Sequence, residues 1–331
     1  MTQKTLITGG AGFIGLHLAK RLLDKGHQVH LVDNFSRAVE DTDLELILKK
    51  SESSFSTIDL LDLDSILTIG NDFDSIFHLG AIIGVSHVLE NPYKVLYDNI
   101  RMLANVITLA HQQSELKRLF FASTSEVYAG TLENFDMAIP TPESTPLSLT
   151  KLSHPRTSYM LSKIYGEALC HQSDLPFTIF RPHNIYGPRM GMSHVIPEQL
   201  KKAYHASEGD PIEVFSPDHT RCFCFIDDAV EMLLLMMSHE ECANKTLNLG
   251  ADNPEVTIEE LAKVCFSVLD KGLTIDPKPS SIGSPSRRQP DMSLTYQLTG
   301  YQSETGLENG IRKTFDWYKK NIFEGNSVSA K

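Results

Sequence analysis

The sequence predicts an α/β fold: a doubly wound parallel sheet with a smaller, discontinuous C-terminal lobe. Three observations carry this. The first half alternates short apolar runs with helical patterns, as strands joined by crossover helices do. A glycine-rich run, Thr8-Gly9-Gly10-Ala11-Gly12-Phe13-Ile14-Gly15, stands at the first strand-to-helix junction. After Pro188 the texture changes, with turn signals at Glu208-Gly209-Asp210-Pro211, Ser216-Pro217-Asp218 and Asp276 to Pro290.

The elements follow in order. Thr5 to Thr8 reads as the first strand and Ile14 to Lys25 as the first helix. Gln28 to Val32, Phe55 to Ile58 and Ser75 to Leu79 read as the next three strands. Leu119 to Ala122 is a fifth and Phe177 to Arg181 a sixth, each an apolar run of strand length. Pro92 to Gln112 and Thr157 to Ser173 have helical length and period. Thr246 to Gly250 reads as a further strand, so the chain is expected to return once from the lobe to the first sheet. Ser280 to Pro290, rich in Ser, Pro and Arg, reads as an ordered loop across a ligand cleft or a mobile lid. The residues after Phe323 read as a frayed tail.

At 331 residues the chain can build a large core. Its net charge is −12, with acids and bases interspersed, which argues against a nucleic-acid partner. A few placed arginines can still serve an anionic substrate locally. No apolar run approaches the ~20 residues that span a bilayer, and the N-terminus has no signal-like apolar segment. A cytoplasmic protein with no membrane partner is expected. Cys170, Cys222, Cys224, Cys242 and Cys265 are odd in number and scattered, which reads as free thiols. No metal is expected, since no second Cys pair completes a zinc site.

The glycine run satisfies G-x-G-x-x-G through Gly10, Gly12 and Gly15, and G-x-x-G-x-x-G through Gly9, Gly12 and Gly15. Glycines let the turn be tight and the backbone approach a pyrophosphate, while the helix start supplies N–H groups. Asp33 ends the second strand 18 residues after Gly15, near the spacing of a ribose-binding acid. A carboxylate there accepts bonds from the adenosine 2′-hydroxyl and repels a 2′-phosphate, favouring NAD over NADP. Arg37 is the residue that could instead reach a 2′-phosphate. Asp59-Leu60 is placed to meet the adenine ring.

The fifth strand ends in Ser123-Thr124-Ser125-Glu126-Val127-Tyr128, hydroxyls and one carboxylate at the edge where open α/β sheets bind ligands. Tyr159 and Lys163 stand at i and i+4, on one helix face. An ammonium beside a phenol stabilises phenolate and lowers the Tyr pKa, making Tyr159 a general base for an alcohol proton. His78, His183 and His194 show no acid/base partner and read as structural or cleft-lining.

Taken together, these motifs resemble the extended short-chain dehydrogenase/reductase family, the NAD-dependent nucleotide-sugar epimerases, dehydratases and decarboxylases. The resemblance runs from Thr5 to about Tyr318. It also rests on His78-Leu79-Gly80-Ala81, Asn99, Arg181-Pro182-His183-Asn184-Ile185-Tyr186-Gly187-Pro188-Arg189, Arg221 and Arg287 to Asp291. It implies a Rossmann-type NAD-binding domain over residues 1–182, a mainly sugar-nucleotide lobe over 183–323 and a flexible tail over 324–331. It implies that Thr124 holds the sugar 4-oxygen, that Tyr159 removes its proton and that Lys163 holds the nicotinamide ribose. The cofactor residues implied are Gly9, Gly12, Phe13, Ile14, Gly15, Asp33, Asn34, Ser36, Arg37, Asp59, Leu60, Leu79, Gly80, Ala81, Asn99, Ser123, Tyr159, Lys163 and Pro182. The family often has Ala at position 80, and Gly80 is expected to be a tolerated change. Asn184 and Arg189 would face the sugar nucleotide, and Arg221 and Arg288 would neutralise its diphosphate. A homodimer is implied, paired as a four-helix bundle through 92–112 and 157–173. Ile100, Leu103, Ile107, Leu161, Tyr165 and Leu169 supply compatible apolar faces, which could equally cover the sheet.

C4 oxidation is common to the family, and the 4-keto intermediate then branches. The 4,6-dehydratases place an acidic pair after the Thr; here Ser125 stands in place of the first acid. The Thr-Ser-Glu-Val-Tyr segment looks like that of UDP-glucuronate decarboxylases, in which a 4-keto uronate loses CO₂ without an acid on C6. Ser125 and Glu126 are read as substrate-facing, with Glu126 near C5. The expected function is therefore decarboxylation of a UDP-glucuronate-like substrate. The alternatives are a 4-epimerase, a 4,6-dehydratase and, remotely, a non-enzymatic NAD-binding protein. Ile82 to His87 and the loop Leu132 to Pro155 differ from the decarboxylase pattern, as Pro182 to Tyr186 resembles epimerases equally well.

Overall fold

A computed structural model describes residues 2–280 and 285–325. The sheet consists of β1 (Lys4–Thr8), β2 (Gln28–Asp33), β3 (Ser53–Thr57), β4 (Ser75–His78), β5 (Arg118–Ala122), β6 (Phe177–Pro182) and β7 (Lys245–Leu249). All seven are parallel, in the order β7-β6-β5-β4-β1-β2-β3. Strands covered on both faces need continuous apolar runs. Accordingly Leu6, Ile7, Ile76, Phe77, Leu119, Phe120, Ile179 and Phe180 are fully buried. β3 is one of the sheet's two edges, and its first residues, Ser53 and Ser54, are polar and only half-covered or exposed. That is why the apolar reading starts it late, at Phe55.

Helix α1 (Phe13–Asp24) turns Leu16, Ala19, Leu22 and Leu23 inward, an i, i+3, i+4 face. Its N-cap, Gly12, offers no side-chain cap, and no acid stands in its first turn. The first N–H groups are therefore left for a ligand anion. Helices α2 (Pro92–His111) and α3 (Thr157–His171) lie against one another on one side of the sheet. Leu103 is buried against the sheet, and Ile107 and Leu169 pack on the same core. The outward face of the pair instead carries Tyr93, Tyr97 and Tyr165.

The lobe is built from short pieces. Thr220–Cys222 pairs antiparallel with Glu255–Thr257 and parallel with Arg287–Arg288. Pro211–Phe215 pairs with Thr274–Lys278, and Ile185–Tyr186 with Cys224–Phe225. Within the Ser280 to Pro290 segment, 281–284 lie outside the described residues, as do 326–331 of the tail. The segment 285–290 is ordered by strand pairing and lies at the end of β5, through Arg288. All five cysteines are free and buried. Among the described residues no helix is long and apolar enough to cross a membrane.

A buried polar network braces the segment at the end of β5. Arg181 of β6 forms a two-pronged ion pair with Glu167 of α3, at 2.9 and 2.7 Å. Ser123 donates to the same carboxylate at 2.5 Å, and Arg181 donates to the Tyr128 hydroxyl at 2.7 Å. Tyr128 in turn donates to Asn248 of β7 at 3.0 Å. Removing one partner of such a pair strands a buried charge, at a cost of about 3–5 kcal/mol. The segment Ser123–Tyr128 is thus held from below by groups drawn from two strands and one helix.

Candidate active site

The carboxyl edge of the sheet gathers the sequence-selected residues. At β1, Gly9 turns with φ +69°, and a Cβ there would lie 2.7 Å from the Gly80 amide nitrogen. Glycine is required on both grounds. Asp33 closes over this loop: its carboxylate accepts from the Ala11 N–H at 3.2 Å and the Phe35 N–H at 3.0 Å. Burial raises its pKa, and those backbone donors oppose the rise. Asn34 accepts from the Ser36 N–H at 3.0 Å, and Asp59 from the Leu61 N–H at 2.9 Å. Leu60 is buried over Gly80, where an added Cβ would meet its Cδ1 at 2.7 Å. An alanine at 80 would ask only the far end of the Leu60 side chain to shift. The Leu79 N–H donates to Thr8 O at 3.1 Å, joining the ends of β4 and β1. Asn99 is occupied with the Ile82 backbone and Ser162. A glycine cradle, an uncapped helix start and a ribose-height carboxylate are what a dinucleotide needs, so NAD fits these residues.

Thr124 caps a short 3₁₀ turn, Ser125–Tyr128, by accepting from the Glu126 N–H. Its side chain is also hydrogen-bonded to the Tyr159 phenol. Lys163 is buried and donates to the Ala122 carbonyl at 2.8 Å, with its amine over the Phe121 ring. Burial brings its pKa down to about 8. Tyr159 does not have the lowered pKa that the i, i+4 lysine implies. Burial pushes it up to about 12, opposed by the Thr124 hydrogen bond. The reason is geometric: the ammonium is spent on a strand carbonyl, with the Tyr159 ring centroid 5.9 Å away.

Three side chains make contacts within the protein that the sequence does not announce. Arg189, expected at the sugar nucleotide, is buried beneath the glycine loop. It donates to Ala11 O at 2.7 Å and Val39 O at 3.0 Å, and pairs with Asp41 at 2.6 Å. Its guanidinium clamps the loop to the segment after β2. Arg288, expected at the diphosphate, reaches Ser125 Oγ at 3.3 Å and the Glu126 carboxylate at 2.8 Å. That ion pair holds the Glu126 carboxyl below its ordinary range against the pull of burial. The Ser123 hydroxyl belongs to the Glu167 network rather than to the cleft lining.

Asn184 adopts φ +42° and donates to Cys222 O at 3.0 Å. Arg221 donates to Pro285 O at 2.6 Å, so it braces the strand that carries Arg288. Burial and neighbouring Arg288 bring its pKa down to about 10. Arg37 is solvent-exposed at the cleft, within electrostatic reach of Asp33 and Tyr159. Phe13, Ile14, Gly15 and Pro182 sit at the ends of their elements around the same edge. His78 is buried against Thr8 Oγ1 at 2.8 Å, and burial brings its pKa to about 3.

Sequence reasoning missed two groups. Arg156 stands 3.9 Å from the second oxygen of Glu126, one helical turn before Tyr159. The position before a helix that carries a reactive Tyr was the available signal. The Glu167–Arg181–Tyr128–Asn248 network carries no signal of spacing, since its members come from four separate elements.

A family model described as the NAD dependent epimerase/dehydratase family matches residues 5–250. The chain is similar to the UDP-N-acetyl-alpha-D-glucosaminuronate decarboxylase of Bacillus cytotoxicus, 32% identical over 97% of this chain and 99% of that one. It is similar to UDP-glucuronic acid decarboxylase 1 of Xenopus tropicalis, 29% identical over 97% of this chain and 73% of that one. Its fold matches the crystal structure of UDP-glucuronic acid 4-epimerase from Bacillus cereus in complex with UDP-glucuronic acid and NAD. The TM-score there is 0.79 at 24% identity, covering 96% of this chain and 99% of that one. With a matching family model over most of its length and a glycine cradle to hold the cofactor, the chain belongs to the NAD-dependent epimerase/dehydratase family.

Proposed function

We propose that the protein decarboxylates a nucleoside diphosphate hexuronate, UDP-glucuronate or a close analogue. The carrying observation is the Arg288–Glu126 pair one step beyond Thr124. A guanidinium faces the place of C5 and C6 there, with a single carboxylate and a serine beside it. A dehydratase needs an acid to protonate a leaving hydroxyl, and Ser125 is not one. The relatives named as uronate decarboxylases support the same reading.

NAD, when bound, supplies the acceptor for the C4 hydride and a positive charge beside the phenol. The chain's own residues do the rest. Tyr159 takes the C4 hydroxyl proton, Thr124 holds that oxygen, and Lys163 holds the cofactor's ribose. With C4 a ketone, the C6 carboxylate is that of a β-keto acid. The C5–C6 bond breaks, CO₂ leaves, and the electron pair passes to the C4 oxygen as an enolate. Arg288 offsets that charge. C5 then takes a proton that Glu126 relays from solvent, the hydride returns to C4, and Tyr159 gives its proton back to the C4 oxygen.

The test is incubation with NAD⁺ and a panel of UDP-, GDP-, CDP- and dTDP-sugars, including uronates, followed by product mass. Loss of CO₂ from a uronate is expected. A new isomer of unchanged mass would instead establish a 4-epimerase, and loss of water a dehydratase. NAD binding with no turnover of any sugar would establish a binding protein.

We further propose a homodimer through α2 and α3 as a four-helix bundle. Tyr93 is 76% exposed, its ring stacks on Tyr97 at 5.7 Å, and Arg101 lies over Tyr97. Such an aromatic patch is typical of an interface. Tyr93→Glu should shift a sedimentation-measured dimer to monomer; a wild-type monomer at micromolar concentration would sink the assignment.

A further inference from the structure

His183 follows β6 directly, and its N–H donates to Leu249 O at 2.8 Å. Its ring is held in one tautomer by a chain of bonds. Asn248 Nδ2 donates to two carbonyls, Thr141 O and Asp291 O, both at 3.0 Å. Carbonyls only accept, so the other amide atom is the oxygen. That oxygen meets the Tyr128 hydroxyl at 3.0 Å and His183 Nε2 at 3.1 Å. An amide oxygen cannot donate, so Nε2 carries the proton. In a neutral imidazole the remaining nitrogen is then a bare acceptor. The ring is neutral, because burial brings its pKa to about 3.

His183 Nδ1 is buried and has no hydrogen-bond donor among the described residues. An unmet buried acceptor is costly, and native structures keep few of them. The surroundings point to why this one is kept. The ring lies 6.0 Å from that of Tyr128, with Gly250 against its Cβ. Arg288, whose guanidinium sits on Ser125 and Glu126, is the charge that acts on it most strongly. His183 thus lies beside the segment that follows β5, within the influence of Arg288 and one residue before Asn184.

We infer that His183 Nδ1 is a specificity element that accepts a hydrogen bond from a hydroxyl or amide N–H on the pyranose ring of the bound sugar nucleotide. The inference rests on the nucleotide-sugar reading above. A site built around such an acceptor discriminates against sugars that lack the donor, since the acceptor is then left buried and unmet. His183 acts as a binding group, and no proton is transferred to it.

Two measurements test this on the full-length enzyme. In ¹⁵N-histidine-labelled protein with NADH, which prevents oxidation, Nδ1 of His183 should resonate as a bare nitrogen. Adding UDP-glucuronate should move it upfield, and adding UDP alone should not. An unmoved resonance, a proton on Nδ1, or a free-enzyme hydrogen bond that disappears in Arg288→Lys would overturn the inference. The second measurement compares two variants. Glutamine places an amide near the position of Nε2 and keeps the bond to Asn248; asparagine places one near Nδ1 and breaks that bond. His183→Gln should therefore raise the sugar-nucleotide KM about tenfold more than His183→Asn does, the value of one such bond. A purely structural histidine gives the opposite order. Wild-type turnover on the sugar panel, run alongside, separates the two readings. If the wild type turns over a sugar nucleotide and the variants reverse, only the role of His183 fails.

Discussion

Tyr159→Phe should lower turnover by about 10³-fold while leaving NAD affinity within about twofold, as loss of a positioned proton acceptor does. The substitution removes one oxygen and keeps the ring that Lys163 and Thr124 surround. On the proposed reading cofactor binding rests on the glycine loop and Asp33, which are distant in the chain and untouched. Isothermal titration with NAD⁺ and product formation by mass measure the two quantities on one preparation. Unimpaired turnover would remove Tyr159 from the chemistry. Lost NAD affinity would make it a cofactor-site residue instead.

The second large effect is expected from Glu126→Gln. Among the described residues this side chain is the carboxylate that pairs with Arg288, and Arg156 stands nearby. Neutralising it frees Arg288 for the substrate's own C6 carboxylate, so KM for a uronate should fall. In the proposed mechanism Glu126 orients C5 and relays its proton, so kcat for CO₂ release should fall about 10²-fold. C4 oxidation does not need Glu126, and NADH absorbance should still rise when substrate is added. Thus kcat and KM move in the same direction, and oxidation separates from decarboxylation. An unchanged kcat would place Glu126 outside the reaction, and continued formation of an isomer of equal mass would favour 4-epimerisation.

Much of the fold was legible because it depends on local pattern. Six of the strands are apolar runs flanked by helical periods, and each read strand overlaps an observed one. β3 is legible only from Phe55, because Ser53 and Ser54 before it are polar and half-covered or exposed. The face of α2 was ambiguous for a related reason. An apolar stripe says that something is covered, and only assembly shows that Leu103 covers the sheet while Tyr93 and Tyr97 remain outside.

The site divides in the same way. The glycine loop, Asp33 and the Tyr159–Lys163 spacing follow from chain geometry over a few residues or one βα unit, and so the sequence by itself determined them. It also determined that one carboxylate and no second acid follows Thr124. The destinations of the guanidinium groups were decided only in the tertiary structure. Arg288 meets Glu126 across 162 positions, Arg189 meets Asp41 across 148, and Arg118 meets Glu240 across 122. An arginine side chain is long, and its fork can satisfy carboxylates or carbonyls on several elements. Which one it reaches depends on how sheet and lobe come together. The same holds for the proton on His183, which depends on an asparagine oriented by two carbonyls from opposite parts of the chain.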